Sequence, residues 1–176
     1  MGGGNIFPSQ FQERKENMKE IEIERKYLVT KDLGVELATK AKEGVRMVDY
    51  YVPNSGDHWD LRLRKEGDKY CITRKRPLET GVMEETTIPL ERLEFMLLTN
   101  GLDTSVAKMR FKDIEVYGHK AVLDVYEGRH EGLVVVEIEF ATKEEYDNFA
   151  KYNSEDIGLT DITGVEKYAA GKLAEW

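Results

Sequence analysis

Charged and bulky residues alternate at a period of two from one end of this chain to the other, and that alternation confines it to a sheet-dominated fold. Glu22, Glu24 and Lys26 alternate with Ile21, Ile23 and Tyr27. On a β-strand this places two carboxylates and an ammonium on one face and the bulk on the other. Arg62 and Arg64 alternate with Leu61 and Leu63, and Thr73 and Lys75 oppose Ile72, Arg74 and Arg76. Glu85 shares a face with Met83 and Thr87, and Asp124 with Val122 and Tyr126. Lys108 and Arg110 alternate with Ala107, Met109 and Phe111; Glu137 and Glu139 alternate with Val136, Ile138 and Phe140. The signs segregate. Strands at both ends of the order carry carboxylates, and those between carry Arg and Lys.

The pattern predicts strands near 19–29, 45–52, 58–66, 69–77, 82–88, 105–116, 119–128 and 132–141. Gly67-Asp68 and Tyr117-Gly118 supply tight-turn chemistry between neighbours, so those pairs read as antiparallel hairpins. The fold expected is mainly β within the α+β class: an eight-stranded antiparallel closed barrel with a few flanking helices. The first helix is expected over 31–42. A second opens at Pro89, carries the stripe Leu90, Leu93, Leu97 and Leu98, and stops at Gly101. Thr142 with Glu145 reads as a capping box for a helix to about Tyr152, and Val165–Trp176 as a short closing helix.

At 176 residues the chain fits one domain. Residues 1–17 are polar and patternless. They read as an added leader or an alternative upstream start, with Met18 a candidate initiator and 18–176 the single domain. A net charge of −8 argues against a general nucleic-acid surface. No apolar run approaches the roughly 20 residues of a membrane span, and no secretory signal opens the chain. The lone Cys71 excludes an intramolecular disulfide framework and suits a reducing, cytoplasmic setting. A small-molecule ligand fits this balance better than nucleic acid or membrane, and the chain is expected as a monomer or homodimer.

Parity alone leaves two arrangements open. With the charged faces outward, Leu, Ile, Val and Phe fill an ordinary core. With them inward, the barrel encloses a charged tunnel. The tunnel suits one kind of ligand. Arg offers forked donors and Lys a point charge for phosphate oxygens, while carboxylates offer hard oxygens to Mg2+ or Mn2+.

These residues together resemble the CYTH superfamily, the triphosphate tunnel metalloenzymes, over about residues 19–174. The signature ExExK is similar to Glu22, Glu24 and Lys26, its R-x-R to Arg62 and Arg64, and its T-x-K to Thr73 and Lys75. A later glutamate looks like Glu85, the K-x-R pair like Lys108 and Arg110, the lone aspartate like Asp124, and the last E-x-E like Glu137 and Glu139. The resemblance implies the inward arrangement and divalent-metal-dependent chemistry on triphosphates. It implies that Arg62, Arg64, Lys75, Lys108 and Arg110 hold the triphosphate, with Lys26 holding phosphate or orienting a carboxylate. It implies Glu22, Glu24, Glu137 and Glu139 as metal ligands and as the catalytic carboxylates, with Asp124 and Glu85 in support.

Three activities fall within that resemblance: hydrolysis of inorganic triphosphate, hydrolysis of thiamine triphosphate, and cyclisation of ATP. Glu131 through Glu139 looks like the short bacterial hydrolases, as does the ending from Thr163-Gly164 through Tyr168 to Leu173-Ala174. Asp49-Tyr50-Tyr51-Val52-Pro53 instead resembles the cyclase and thiamine-triphosphatase branches, although the cyclase-like Leu-Gly-aromatic run is missing. Inorganic tripolyphosphate hydrolysis is the leading expectation. A non-catalytic polyphosphate-binding module and a purely structural barrel are the competing classes. His58, His119 and His130 are expected near surface turns, Trp59 and Trp176 in packing, Asp60 and Lys65 at a strand rim, and Arg74 and Arg76 in solvent. Cys71 is expected as a small half-buried residue, and Tyr126 as a possible ligand contact.

Overall fold

The computed structural model describes residues 18–41, 43–52, 61–151 and 158–175. Eight strands follow the expected alternation: β1 Met18–Val29, β2 Gly44–Tyr51, β3 Leu61–Glu66, β4 Lys69–Glu79, β5 Val82–Leu90, β6 Ser105–Val116, β7 His119–Tyr126 and β8 Val134–Glu139. All pairings are antiparallel, in the order β5-β4-β3-β2-β6-β7-β8-β1, and β1 also pairs with β5, which closes the barrel. A ninth strand, β9 (Leu159–Asp161), joins the edge of β1 at Tyr27–Val29 and carries too few residues to show an alternation.

The turns follow from local chemistry. Tyr117 and Gly118 both take positive φ, 51° and 79°, the geometry of a two-residue hairpin turn that matches strand twist. Asp113 (φ 57°) marks an extra residue in β6, where pairing with β7 shifts between Phe111 and Ile114. The bulge switches the face presented. Lys108 and Arg110 point into the barrel, whereas Ile114 and Val116, of the same parity, join the core outside it.

That outer core packs α1 (Lys31–Lys40) and α3 (Lys143–Phe149) against the wall through Tyr27, Leu37, Leu123, Val136, Ile138, Tyr146 and Phe149. A second cluster lies at one end of the barrel. Inward-facing Tyr51, Val106, Tyr126 and Val135 meet Ile162 and the closing helix α4 (Ala170–Glu175) at Leu173 and Ala174. It is an apolar stopper. Thr142 caps α3 by accepting from the Glu145 amide at 3.2 Å, as its spacing implies.

The second helix departs from expectation. Pro89 and Leu90 remain in β5, and α2 spans only Arg92–Thr99 with Glu91 and Glu94 forming its capping box. The anticipated stripe faces water, with Leu93 66% and Leu97 68% exposed, while Phe95 is buried between Tyr50 and Tyr70. Periodicity found the helix but not its buried side, because β5 delivers α2 over a patch where aromatics are already in place. His119 and His130 lie beside turns as expected and are half-buried. The His119 ring is tilted against Phe140 and edge-on to Phe149, and His130 donates from Nε2 to the Leu173 carbonyl at 2.6 Å, fastening α4. His58, Trp59, Asp60 and Trp176, the start of the third expected strand and the end of the α3 reading lie outside the described residues. No helix among the described residues is long and apolar enough to cross a membrane.

Candidate active site

The open choice of parity resolves inward. Asp49 and Asp124 have no exposed surface, Lys108 is 2% exposed and Glu85 4%, although charged side chains are seldom buried without partners. Arg74 and Arg76, of opposite parity, face solvent as expected.

Most of the buried charges are balanced by a neighbour on an adjacent strand. Arg64 forks onto Asp49, donating from Nε at 2.6 Å and from a terminal nitrogen at 2.7 Å. Burial opposes the Asp49 charge, yet Arg64, aided by Arg62 and Lys108, holds its carboxyl well below the usual range. Asp124 accepts from Lys108 at 2.5 Å and from Arg110 at 2.6 and 2.5 Å. Its carboxyl also stays below the ordinary value, because those two cations outweigh burial. Arg110 reaches on to Glu137 at 2.7 Å, and Glu137 accepts from Lys26 at 2.8 Å. Lys26 lies 3.2 Å from Glu24 as well, so Glu137 and Glu24 overcome burial and hold its ammonium above the ordinary lysine value.

Two places are not balanced in this way. Arg62 is the first. Its nearest acid, Glu85, is 3.9 Å away, and its Nε is buried with no hydrogen-bond partner. An unpaired buried donor is costly and calls for an acceptor. Beside it, Lys75 touches Glu85 and lies 3.5 Å from Glu22. Burial, and then repulsion from Arg62, draw the Lys75 ammonium down to about 8. The second place is the acidic wall. Glu139 is pushed above its ordinary value by burial and by Glu22 and Glu24. The pairing of β1 with β8 sets Glu24 directly across from Glu139 and Lys26 across from Glu137.

The geometry divides the expected carboxylates into two sets. Asp124 and Glu137 are each gripped by a lysine and an arginine together, whereas Glu22 and Glu24 meet one lysine apiece, Lys75 at 3.5 Å and Lys26 at 3.2 Å, and their charges bear on Glu139 toward the end of the barrel away from the stopper. Among the described residues no three acidic, His or Cys side chains converge into a ready-made metal cage. The second set still fits a divalent cation by chemistry, since it offers hard oxygens and an excess of negative charge. Thr73 joins the wall, its hydroxyl 2.9 Å from that of Thr87. Tyr126 belongs to the stopper, its ring 5.4 Å from the Lys108 ammonium, and Cys71 is half-buried. Sequence reasoning missed Asp49 as a site residue. Its parity with Met47 and Tyr51 was the available signal, and no flanking charge on the same strand reinforced it.

A closed antiparallel barrel with ionised acids and bases packed along its interior, open at one end and apolar at the other, defines a charged-tunnel protein. The chain belongs to the CYTH domain family, whose model matches residues 20–168. It is 32% identical over 126 residues to an inorganic triphosphatase of Nitrosomonas europaea, covering 70% of this chain and 78% of that protein. The crystal structure of an inorganic triphosphatase aligns with 87% of this chain and 93% of its own at 26% identity, with a TM-score of 0.57. A Bacillus halodurans protein aligns with 85% of this chain and 98% of its own at 16% identity and a TM-score of 0.65, a likeness of fold alone.

Proposed function

We propose that this protein hydrolyses a triphosphate in its tunnel, with inorganic tripolyphosphate, split to pyrophosphate and phosphate, as the substrate and Mg2+ or Mn2+ as the metal. The observation that carries this reading is the unpartnered, buried Arg62 Nε in a basic wall set against Glu139, whose carboxyl is pushed up by burial and by the neighbouring Glu22 and Glu24. A polyanion satisfies the first and a divalent cation the second. The inorganic triphosphatase of Nitrosomonas europaea supports the same reading by its similarity.

In this reading Arg62, Arg64, Lys75, Lys108 and Arg110 bind the phosphates and spread the charge that develops on the transferred group. Positioning and neutralisation dominate phosphoryl transfer, so fixed cations in a partly dehydrated tunnel suit it. Asp49 holds Arg64 and Asp124 holds Arg110 through forked hydrogen bonds, Asp124 also takes Lys108, Glu137 adds a single bond to Arg110, and Glu85 steadies Lys75. Glu22, Glu24 and Glu139 hold the metal, and the glutamates of this wall orient water toward the terminal phosphate. When bound, the metal supplies neutralisation and Lewis acidity toward the phosphate oxygens. The stopper keeps water from entering at the far end, which strengthens every charge contact within. The lone Cys71 suits a cytoplasmic setting.

The test is phosphate release from tripolyphosphate with Mg2+ and with Mn2+, beside ATP and thiamine triphosphate. Tripolyphosphate turnover in excess of the others is expected. Binding of tripolyphosphate without turnover of any of the three establishes a binding module instead. Glu24→Gln is expected to abolish metal-dependent turnover while tripolyphosphate binding survives.

A further inference from the structure

The glutamates and lysine of the ExExK segment lie where β1 changes partners. Residues 18–23 pair with β5 and residues 24–28 with β8, and on the β5 side β9 takes over only at Tyr27. Between Val82, the first residue of β5, and Asp161, the last of β9, the edge of β1 has no regular ladder. Isolated bonds fill the gap. The Glu24 amide donates to the Gly81 carbonyl at 2.8 Å, and the Ile162 amide donates to the Lys26 carbonyl at 2.8 Å. The Lys26 amide donates to the Thr163 hydroxyl at 3.0 Å.

Arg25 stands at this gap with its side chain on the outer wall, 9% exposed. It donates from Nε to the Tyr146 carbonyl at 3.0 Å and stacks on the Tyr146 ring at 3.8 Å. Its terminal nitrogen pairs with Asp161 Oδ2 at 2.9 Å, and Asp161 Oδ1 accepts from the Thr163 amide at 2.8 Å. A continuous chain therefore runs from Arg25 through Asp161 and Thr163 back to the backbone of Lys26. Both ends of the chain lie on the strand that carries Glu24 and Lys26 inward.

We propose that Arg25, Asp161 and Thr163 are positioning residues that set the placement of Glu24 and Lys26, and through them the join between the metal wall and the phosphate wall. This rests on the triphosphatase reading above. A forked guanidinium is suited to the task, because it grips two segments at once in a fixed plane. Outer contacts that orient first-contact ligands typically change affinity or turnover by about 10- to 100-fold when removed.

The test combines turnover with a metal titration that needs no turnover. In Arg25→Met and Thr163→Val, free-Mn2+ electron paramagnetic resonance without substrate should report Mn2+ affinity lowered by about tenfold. The kcat for tripolyphosphate should fall by about as much, while its KM, set by Arg62, Arg64 and Arg110, stays within about threefold. Arg25→Lys, which keeps the Asp161 pair, should recover part of both losses. Wild-type Mn2+ affinity and kcat in a folded Thr163→Val and Arg25→Met, whatever their melting temperatures, would overturn the proposal. Should Arg25→Met fail to fold, Thr163→Val decides by the same readouts. A wild-type protein that binds Mn2+ but turns over no triphosphate sinks the hydrolase reading alone, and the Mn2+ titration still decides the positioning role.

Discussion

Replacing Asp124 by Asn keeps the shape of the side chain and removes its charge, which isolates the electrostatics of the tunnel. The carboxylate is fully buried and takes Lys108 at 2.5 Å and Arg110 at 2.6 and 2.5 Å. A pair of unit charges about 4 Å apart is worth about 4 kcal/mol at an effective dielectric of about 20. Two such pairs contribute about 8 kcal/mol before the carboxylate is desolvated, a cost of several kcal/mol. The net loss expected for Asp124→Asn is about 3–5 kcal/mol, the range found when one partner of a buried pair is removed. Urea unfolding at pH 7, followed by far-ultraviolet circular dichroism, reads it as a midpoint lowered by about 2 M for a slope near 2 kcal/mol/M. The pH dependence has a definite sign. The folded carboxyl lies below its ordinary value, so its contribution is fully present above the unfolded value of about 3.9 and fades as pH falls through the lower folded value. The gap between wild type and variant therefore narrows below about pH 4. A loss under about 1 kcal/mol at pH 7 is that of a solvated surface pair and would refute a dehydrated tunnel wall.

Arg62→Ala removes the unpartnered donor and should weaken metal-free tripolyphosphate binding by about 1.5–3 kcal/mol in isothermal titration, the worth of a charge-assisted hydrogen bond. An unchanged affinity would mean that Arg62 does not meet the anion. Lys75, drawn down to about 8, is only partly protonated at pH 8, and a bound polyanion favours its charged form. Relative to Lys75→Met, tripolyphosphate binding at that pH should take up an additional fraction of a proton, measured by titration in buffers of different ionisation enthalpy; identical proton balances in the two proteins would contradict the placement of Lys75. Gly81→Ala places a methyl 2.5 Å from the Tyr146 ring at a φ of 76°. It should cost about 1–3 kcal/mol in urea unfolding, and a neutral outcome would show that α3 is not seated tightly behind β1.

The barrel was legible because its signal is local and repeated. Alternation at a period of two marks strands wherever one face differs from the other, and eight segments carried it. The tight turns at Gly67-Asp68 and Tyr117-Gly118 gave neighbour pairing. β9 was not legible, since three residues hold less than two periods. Nor was the buried side of α2, where Phe95 enters an aromatic patch assembled from β2 and β4. The residues of the site were legible as types and order. Asp49 escaped because its partner Arg64 lies on a different strand, and only β2–β3 register brings them face to face.

By itself the sequence determined which residues share a strand face, hence that acids gather on β1, β7 and β8 and bases on β3, β4 and β6. It could not decide whether that face looks inward, because parity is blind to the direction of sheet curvature. Tertiary structure decided it through the β1–β5 closure, the outer helices and the stopper, which give the apolar faces somewhere else to go. It also decided which carboxylates are gripped by an arginine as well as a lysine and which are not. Charge pairing acts through space over a few ångströms, and distances between strands far apart in the chain are set only when the barrel closes.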